Sequence, residues 1–141
     1  MIKKLGIADY PIAETQPEKV IGARGIALPD VTLAALIKGD VTMEDLRITP
    51  QALRAQADIA RAAKRDTLAQ NFERGAELVN VPQDFIMATY ELLRPGRAKS
   101  KDALLEAAQI LRNTYKATAM ATYLEEAAEV YERRGLFTLR F

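Results

Sequence analysis

The segment from Arg47 to Pro95 constrains the fold more than any other part of the sequence. Its apolar residues recur every three or four positions, which is the spacing of one face of an α-helix. Four short breaks interrupt this pattern: Thr49-Pro50, Lys64-Arg65-Asp66, Val81-Pro82 and Arg94-Pro95. Proline is favoured at the first position of a helix and disfavoured in its interior, so such breaks mark helix boundaries. The segment therefore predicts three consecutive amphipathic helices.

Each of these three helices has a predicted start and an apolar stripe. Thr49 is the predicted N-cap of the first helix, with Pro50 as its first residue, and Asp66 is the predicted cap of the second. Gly75 lies inside the second helix, where it costs about 1 kcal/mol relative to alanine, and we interpret it as a close approach by another helix. The predicted stripe residues, in chain order, are Leu53, Ala57, Ile59, Ala60, Ala63 and Lys64, then Leu68, Phe72, Ala76 and Val79, then Phe85, Ile86, Thr89, Tyr90 and Leu93.

The stretch from Ser100 to Arg134 contains neither proline nor glycine. Ser100 is the predicted N-cap, and Gly135 is expected to end the helical region. Because this stretch is long for one globular helix, two alternatives stay open: a break near residues 113–118, or one long helix packed along the rest. The apolar residues 136–141 are expected to dock against the protein.

The first 29 residues differ in character, since they carry three of the six prolines and three of the seven glycines. A residue that precedes proline is biased away from helical geometry. We therefore predict an extended arm over residues 1–29, with a short strand pair near 19–21 and 25–27. A compact domain rarely keeps such a segment uncovered, so the arm is a candidate contact surface.

A short helix is predicted after the arm, capped by Asp30 or Thr32 and ended by Gly39. A further helical first turn is predicted at residues 42–45, with acidic side chains near the positive end of the helix dipole. The predicted architecture is mostly α. It consists of a single compact multi-helix domain at 30–141 preceded by the extended N-terminal arm at 1–29.

Composition excludes several functions. The chain has no cysteine and no histidine, so disulfides, thiolate chemistry, the usual proton shuttle and the commonest transition-metal ligand are not available. A net charge of +1 provides no basic surface for nucleic acid. No segment approaches the roughly 18 apolar residues of a membrane span. We expect no nucleic-acid partner, no membrane partner and no metal site.

Most polar groups are better explained without chemistry. Glu44 and Asp45 are adjacent, so they point in different directions on a helix, and a place at a helix N-terminus is favoured over a catalytic pair. Residues 22–25 lack the spacing of a phosphate loop, and a turn is favoured. The acidic cluster near the C-terminus is interpreted as a solvated face with an ion pair four residues apart rather than as a metal site; it comprises Glu125, Glu126 and Glu129, with Arg133.

Exposed arginines leave two interpretations open, an anion site or a protein interface, and the second is favoured. The five tyrosines are interpreted as core or interface anchors. No constellation in the sequence can run a reaction unaided. The arginines in question are Arg61, Arg65, Arg74, Arg94 and Arg97.

Beyond these patterns, the order of residues from Asp9 to about Glu132 resembles one protein family. The chain is similar to the small (gamma) subunits of the adenosylcobalamin-dependent diol and glycerol dehydratases. Gly75 and Gly96 depart from that pattern, where relatives have alanine and an aromatic residue. The most specific stretches are Asp9-Tyr10-Pro11, Asp45 to Pro50, Leu53 to Ala60, Arg65 to Arg74, Ala76-Glu77-Leu78 and Val81 to Pro95.

The resemblance implies an enzyme of large (alpha), medium (beta) and small subunits, arranged as a dimer of heterotrimers. Such enzymes convert 1,2-diols such as propanediol, or glycerol, to aldehydes by a radical mechanism. Adenosylcobalamin in the holoenzyme is then bound by the other subunits, and the small subunit has no catalytic, cofactor-binding or metal residue. The lack of a secretory signal and of a membrane span predicts a cytoplasmic protein, and the resemblance adds a bacterial microcompartment as an alternative place within the cytoplasm.

The expected function is therefore to bind and stabilise the large catalytic subunit. A free-standing helical adaptor with no enzymatic complex is the alternative. The proline-rich arm and the arginine-bearing helix faces motivate a hypothesis about where partners bind. The candidate subunit-interface residues are Tyr10, Pro11, Arg47, Arg61, Arg74 and Arg94.

Overall fold

A computed structural model describes residues 4–137, and most of these residues are helical. Within them no β-strand forms, and the mostly-α prediction is confirmed. The α-helices are α1 (Ile12–Thr15), α2 (Leu33–Lys38), α3 (Met43–Leu46), α4 (Pro50–Ala62), α5 (Asp66–Leu78), α6 (Gln83–Leu93), α7 (Lys101–Asn113) and α8 (Thr118–Arg133).

The contacts divide the chain into two compact units. The first unit runs as far as Val79 and the second begins at Asn80. This division falls inside the helical domain that the sequence predicts at 30–141. The predicted boundary between an arm at 1–29 and that domain stays a prediction.

The N-terminal residues form a series of single turns rather than one continuous extended arm. Short 3₁₀ turns at Ile7–Asp9, Pro17–Lys19 and Leu28–Asp30 accompany α1. Prolines contribute to this difference: Tyr10, which precedes Pro11, stays extended, whereas Pro17 begins a helical turn itself. In place of the predicted strand pair, one isolated antiparallel bridge joins Ile21 and Ala27.

Helices α4 and α5 form the body of the first unit. The Thr49 hydroxyl accepts the backbone N–H of Ala52 at 3.1 Å, so the predicted N-cap is confirmed. Arg65 takes the N-cap position of α5 in place of Asp66, which is instead its first residue, and no side chain caps this helix. The core between the two helices is formed by small side chains, with Leu68 and Phe72 packed against it: Ala57, Ala60 and Ala69.

In the second unit, the apolar stripes of α7 and α8 pack against each other. Leu104, Leu111 and Leu124 are fully buried there. The long helical stretch breaks at the predicted place, because α7 ends at Asn113 and Lys116 adopts a left-handed φ of 57° before α8 begins. The predicted Ser100 cap is also confirmed.

Two side chains of the second unit bear on the remaining sequence predictions. Tyr90 is 57% exposed, so its predicted inward orientation is wrong. Phe137 packs against the buried cluster of Ala98, Leu104 and Ala128, and the centre of its ring lies 6.2 Å from that of Tyr131. This contact agrees with the expected docking of the apolar tail, at the first residues of that tail. Residues 138–141 of that tail lie outside the described residues.

Ion pairs cover the outer surface of the second unit. Lys101 Nζ lies 2.6 Å from a carboxylate oxygen of Glu129 and 2.7 Å from one of Glu132. The predicted Glu129–Arg133 pair is therefore wrong, since Glu129 reaches α7 instead of its own helix. Arg112 on α7 similarly binds Glu125 on α8 at 2.8 Å.

Candidate functional site

An apolar cleft of about 720 Å³ lies between the N-terminal turns and α4, inside the first unit. A second cavity of about 280 Å³ shares Tyr10, Gln56 and Ile59 with it. We call the two together the α4 groove. Its lining is mainly aliphatic, and the large apolar residues of the first cleft are Leu5, Pro11, Ile12, Ile21, Ile48 and Ile59.

One face of α4 forms the floor of this groove. The residues concerned recur at helical spacing, so they lie on the same side of the helix. Several are alanines, whose small side chains leave the backbone of α4 close to the open space. From the first cleft to the second, the floor residues are Ala52, Ala55, Gln56, Ile59, Ala60 and Ala63.

Tyr10 and Pro11, two of the candidate interface residues, form part of the groove wall. The Tyr10 ring is 68% exposed although it borders both cavities. The Tyr10-Pro11 peptide bond is cis. Thr15 and Gln16 hydrogen-bond back to Asp9, which ties this turn to the residue that precedes Tyr10. An exposed aromatic ring beside an apolar cleft is suited to packing against a partner.

Each candidate arginine of the first unit is engaged with a neighbouring side chain. Arg47 lies 3.2 Å from Glu44, and Arg61 lies 2.7 Å from Glu73 across the α4–α5 pair. The hydrogen bond from Arg61 to Glu73 raises the pKa of the guanidinium above its ordinary value. Arg74 donates to the side-chain oxygen of Asn71 on the same helix.

Arg94, the last candidate, belongs to the second unit and pairs with Glu91 at 3.0 Å. Arg61 and Arg94 therefore already bind carboxylates, whereas Arg65 forms no ion pair with another residue in the range 4–137. Exposed ion pairs of this kind contribute little to stability.

An ion pair between Arg24 and the buried Asp45 organises the residues before α4, and the sequence patterns did not predict it. Arg24 donates three hydrogen bonds to the Asp45 carboxylate, at 2.9 Å, 3.1 Å and 2.6 Å, and a further one to the backbone oxygen of Asp40 at 2.7 Å. The Asp45 side chain is fully buried, and it also accepts the backbone N–H of Thr42 at 2.8 Å. The two partners are 21 residues apart, so no local pattern indicated the pair.

This pair has an electrostatic and a steric consequence. The hydrogen bonds from Arg24 and then from the Thr42 backbone lower the pKa of Asp45 from its ordinary value of 3.8 to about 2. The loop that carries Arg24 also approaches closely, since a Cβ added to Gly22 would lie 2.9 Å from the backbone oxygen of Asp45. Glycine is needed at this position because any side chain would displace the loop.

The short helices α2 and α3, next to this loop, carry large apolar side chains that are unusually exposed. Leu33 and Ile37 on α2 and Met43 on α3 are each more than 70% exposed. Large apolar residues on the surface of a monomer, when several occur together, indicate an interaction surface. Further exposed residues of this segment are Leu36, Leu46 and Ile48.

The described residues offer little for catalysis. Between residues 4 and 137, no group of three or more carboxylates is arranged to hold a metal ion. Over the same residues every buried side-chain nitrogen or oxygen has a hydrogen-bond partner. Tyr131 is partly buried, which raises the pKa of its phenol, but its hydroxyl donates to the backbone oxygen of Leu93. This side chain has the role of a core anchor, as the sequence analysis interprets it.

The sequence contains a signal for the α4 groove in the width of the apolar surface of α4. The predicted stripe includes Ile59, Ala60 and Ala63, and Ala52 and Ala55 extend the same face toward the start of the helix. An apolar surface wider than one stripe indicates a second packing partner besides α5.

Comparison with known proteins agrees with the resemblance. A sequence profile described as the dehydratase small subunit matches residues 5–138. The propanediol dehydratase small subunit of Citrobacter freundii is 47% identical over 128 residues, which cover 91% of this chain and 74% of that protein. The protein of the same description from Salmonella typhimurium is 47% identical over 128 residues, with coverages of 91% and 73%. None of the helices between residues 4 and 137 has the length and apolar character to cross a membrane.

Proposed function

The chain belongs to the dehydratase small-subunit family, and on this basis we propose that it is the non-catalytic small subunit of a diol dehydratase acting on propanediol. The observation that carries the proposal is 47% identity over 91% of the chain to proteins described as propanediol dehydratase small subunits. Because identity at this level runs along nearly the whole chain, it supports a shared role and not only a shared fold. Glycerol is a second candidate substrate of the complex.

In this proposal the chain supplies no catalytic residue. It has neither histidine nor cysteine, and its described carboxylates pair with arginine or lysine or lie apart from one another. These residues do not fit a cobalt-containing cofactor, so we assign adenosylcobalamin to the other subunits. When bound there, that cofactor supplies the radical chemistry, because a cofactor of this kind carries the difficult step while the protein binds and orients.

The proposed partners are a large and a medium subunit, in a dimer of heterotrimers, with the large subunit in direct contact. Support comes from the apolar groove and the exposed apolar side chains of the first unit. We keep the six candidate interface residues as proposed contacts, with residues 1–29 as the segment that the partner covers. The proposed location is the cytoplasm, either free or within a microcompartment.

Co-expression tests this function. The chain is produced together with its cognate large and medium subunits, and the purified material is analysed by size exclusion. Aldehyde formation is then assayed with adenosylcobalamin and 1,2-propanediol. We expect co-elution, and activity that is lost when this chain is omitted. A fully active two-subunit enzyme beside a lone small chain would contradict the proposal and favour the helical adaptor.

A further inference from the structure

The floor of the α4 groove is long enough for about three turns of a helix. It runs from Ala52 on α4 to Ala63, the residue that follows this helix, a length of about 17 Å at about 1.5 Å per residue. Helices that pack together come within about 8–10 Å of each other when small side chains line the contact. The alanines of the floor satisfy that condition, and the apolar walls can enclose the sides of a bound helix.

An extended peptide fits this surface less well. Peptides that bind as strands add to the exposed edge of a sheet, through backbone hydrogen bonds. Between residues 4 and 137, the β pairing consists of the isolated bridge between Ile21 and Ala27. A helix satisfies its own backbone groups and needs only an apolar groove, which is what α4 and the N-terminal turns provide.

The polar side chains of the groove add detail about the occupant. Gln56 lies where the two cavities meet, and its side-chain amide can hydrogen-bond to a polar group of the occupant there. Arg65 lines the second cavity and forms no ion pair with another residue in the range 4–137. An unpaired guanidinium at the end of an apolar groove favours an occupant with a carboxylate at the corresponding turn.

We propose that the α4 groove binds an amphipathic helix of the large dehydratase subunit, which presents apolar side chains about every three to four residues toward Ala52, Ala55 and Ile59 and a carboxylate toward Arg65. This inference rests on the proposed function, because a small subunit requires a larger partner. It adds the surface and the chemistry of the segment that binds there.

A matched pair of substitutions on α4 tests the groove in the full complex. Ala55→Arg places a long charged side chain on the groove floor, whereas Ala62→Arg adds the same side chain at an exposed position that does not line either cavity. Each variant is co-expressed with the large and medium subunits, and the amount that co-elutes is compared with the wild type. We expect Ala55→Arg to lower recovery of the complex about tenfold or more, as for a central interface position, and Ala62→Arg to leave it unchanged.

A fold control accompanies this comparison. Far-ultraviolet circular dichroism and thermal unfolding of each purified chain should match the wild type within a few degrees, since Ala55 lies outside the buried core. Equal recovery of both variants would overturn the groove assignment while leaving the proposed function intact. Failure of the wild-type chain to assemble would overturn both.

Photo-crosslinking identifies the occupant without depending on loss of assembly. The photoreactive residue p-benzoylphenylalanine replaces Ala55 or, as a control, Ala62, and the complex is irradiated and analysed by mass spectrometry. We expect a product with the large subunit from position 55 and a much weaker one from position 62. A product with the medium subunit, a product with a second copy of this chain, or no intermolecular product would overturn the proposal.

Discussion

The two units of this protein build their interiors in different ways. In the second unit, α7 and α8 enclose three fully buried leucines, Leu104, Leu111 and Leu124. In the first unit, α4 and α5 meet through the alanines Ala57 and Ala69, with larger side chains only partly buried around them. Burial of a leucine side chain contributes about 1.5–3 kcal/mol, and burial of alanine contributes much less.

The first unit, which buries the smaller side chains, exposes more large apolar side chains at its surface. Most of the exposed large apolar side chains among the described residues lie in the first unit, on the N-terminal turns and on α2 and α3. The described part of the second unit exposes fewer such side chains, among them Met87 and Tyr90. A unit that buries little apolar surface by itself and exposes much is suited to gain stability from a partner. Among the described residues, the first unit therefore presents the larger exposed apolar surface.

The largest expected effect comes from removing volume in the second unit. Leu124→Ala should lower the free energy of unfolding by about 2–5 kcal/mol, because it leaves a cavity in a fully packed site. The same substitution at Leu33, which is 73% exposed on α2, should change it by less than about 0.5 kcal/mol. Urea unfolding of the isolated chain measures both, and similar values for the two variants would contradict the comparison.

Adding volume should be the more damaging change in the first unit. Ala69 is fully buried between α4 and α5, so Ala69→Leu should cost about 1–3 kcal/mol by forcing the helices apart. Ala62→Leu, at an exposed position of α4, is the matched control and should be nearly neutral. If Ala69→Leu were stabilising in urea unfolding, the helix contact would be looser than the structure describes.

Acid should weaken the first unit through Asp45. Its pKa is lowered from 3.8 to about 2 in the folded chain, so the charged form is stabilised by folding. That contribution is complete above about pH 4 and is lost as the pH falls toward 2. Asp45→Asn should therefore lower the melting temperature at pH 6 and flatten its decline between pH 4 and 2, as thermal circular dichroism measures.

Glu44→Gln is the control for this acid dependence, since Glu44 is a neighbouring carboxylate in an exposed ion pair with Arg47. Its melting temperature should follow the wild-type profile. An Asp45→Asn profile that declined as steeply as the wild type between pH 4 and 2 would assign the acid dependence to other groups.

The smallest effect is expected at Gly75, and it is stabilising. Gly75 lies inside α5, and an added Cβ would be 3.8 Å from a Leu53 methyl group, an ordinary contact distance. Gly75→Ala should raise the free energy of unfolding by about 1 kcal/mol, because alanine has the higher helix propensity. A lower melting temperature in thermal unfolding would instead indicate that α4 and α5 are too close for a methyl group.

Local sequence signals predicted much of the fold. Thr32, Thr49 and Ser100 cap their helices as expected, because an N-cap depends on residues that are only two or three positions apart. Gly39 ends α2 in the left-handed conformation, as its sequence position predicts. The prediction of Asp66 as the N-cap of α5 is wrong by one residue, since Arg65 holds that position.

Predictions that needed distant partners were less successful. Tyr90 has the spacing of an inward-facing residue but is exposed. Periodicity indicates which residues share a helix face, but it does not indicate whether another element covers that face. Glu129 binds Lys101 on another helix in place of Arg133 on its own. The α4 groove required knowledge of where the N-terminal turns lie against α4, which no spacing within one helix contains.

By itself the sequence determined most helix boundaries from α4 onward, the family and the absence of histidine and cysteine chemistry. These properties follow from residue identity and from contacts within a few positions, where the chain geometry leaves few alternatives. Only the tertiary structure decided the Arg24–Asp45 pair, the alanine core and the groove that borders Tyr10. Each of these depends on segments far apart in the chain, whose approach is set by the summed packing of the whole unit and not by local propensity.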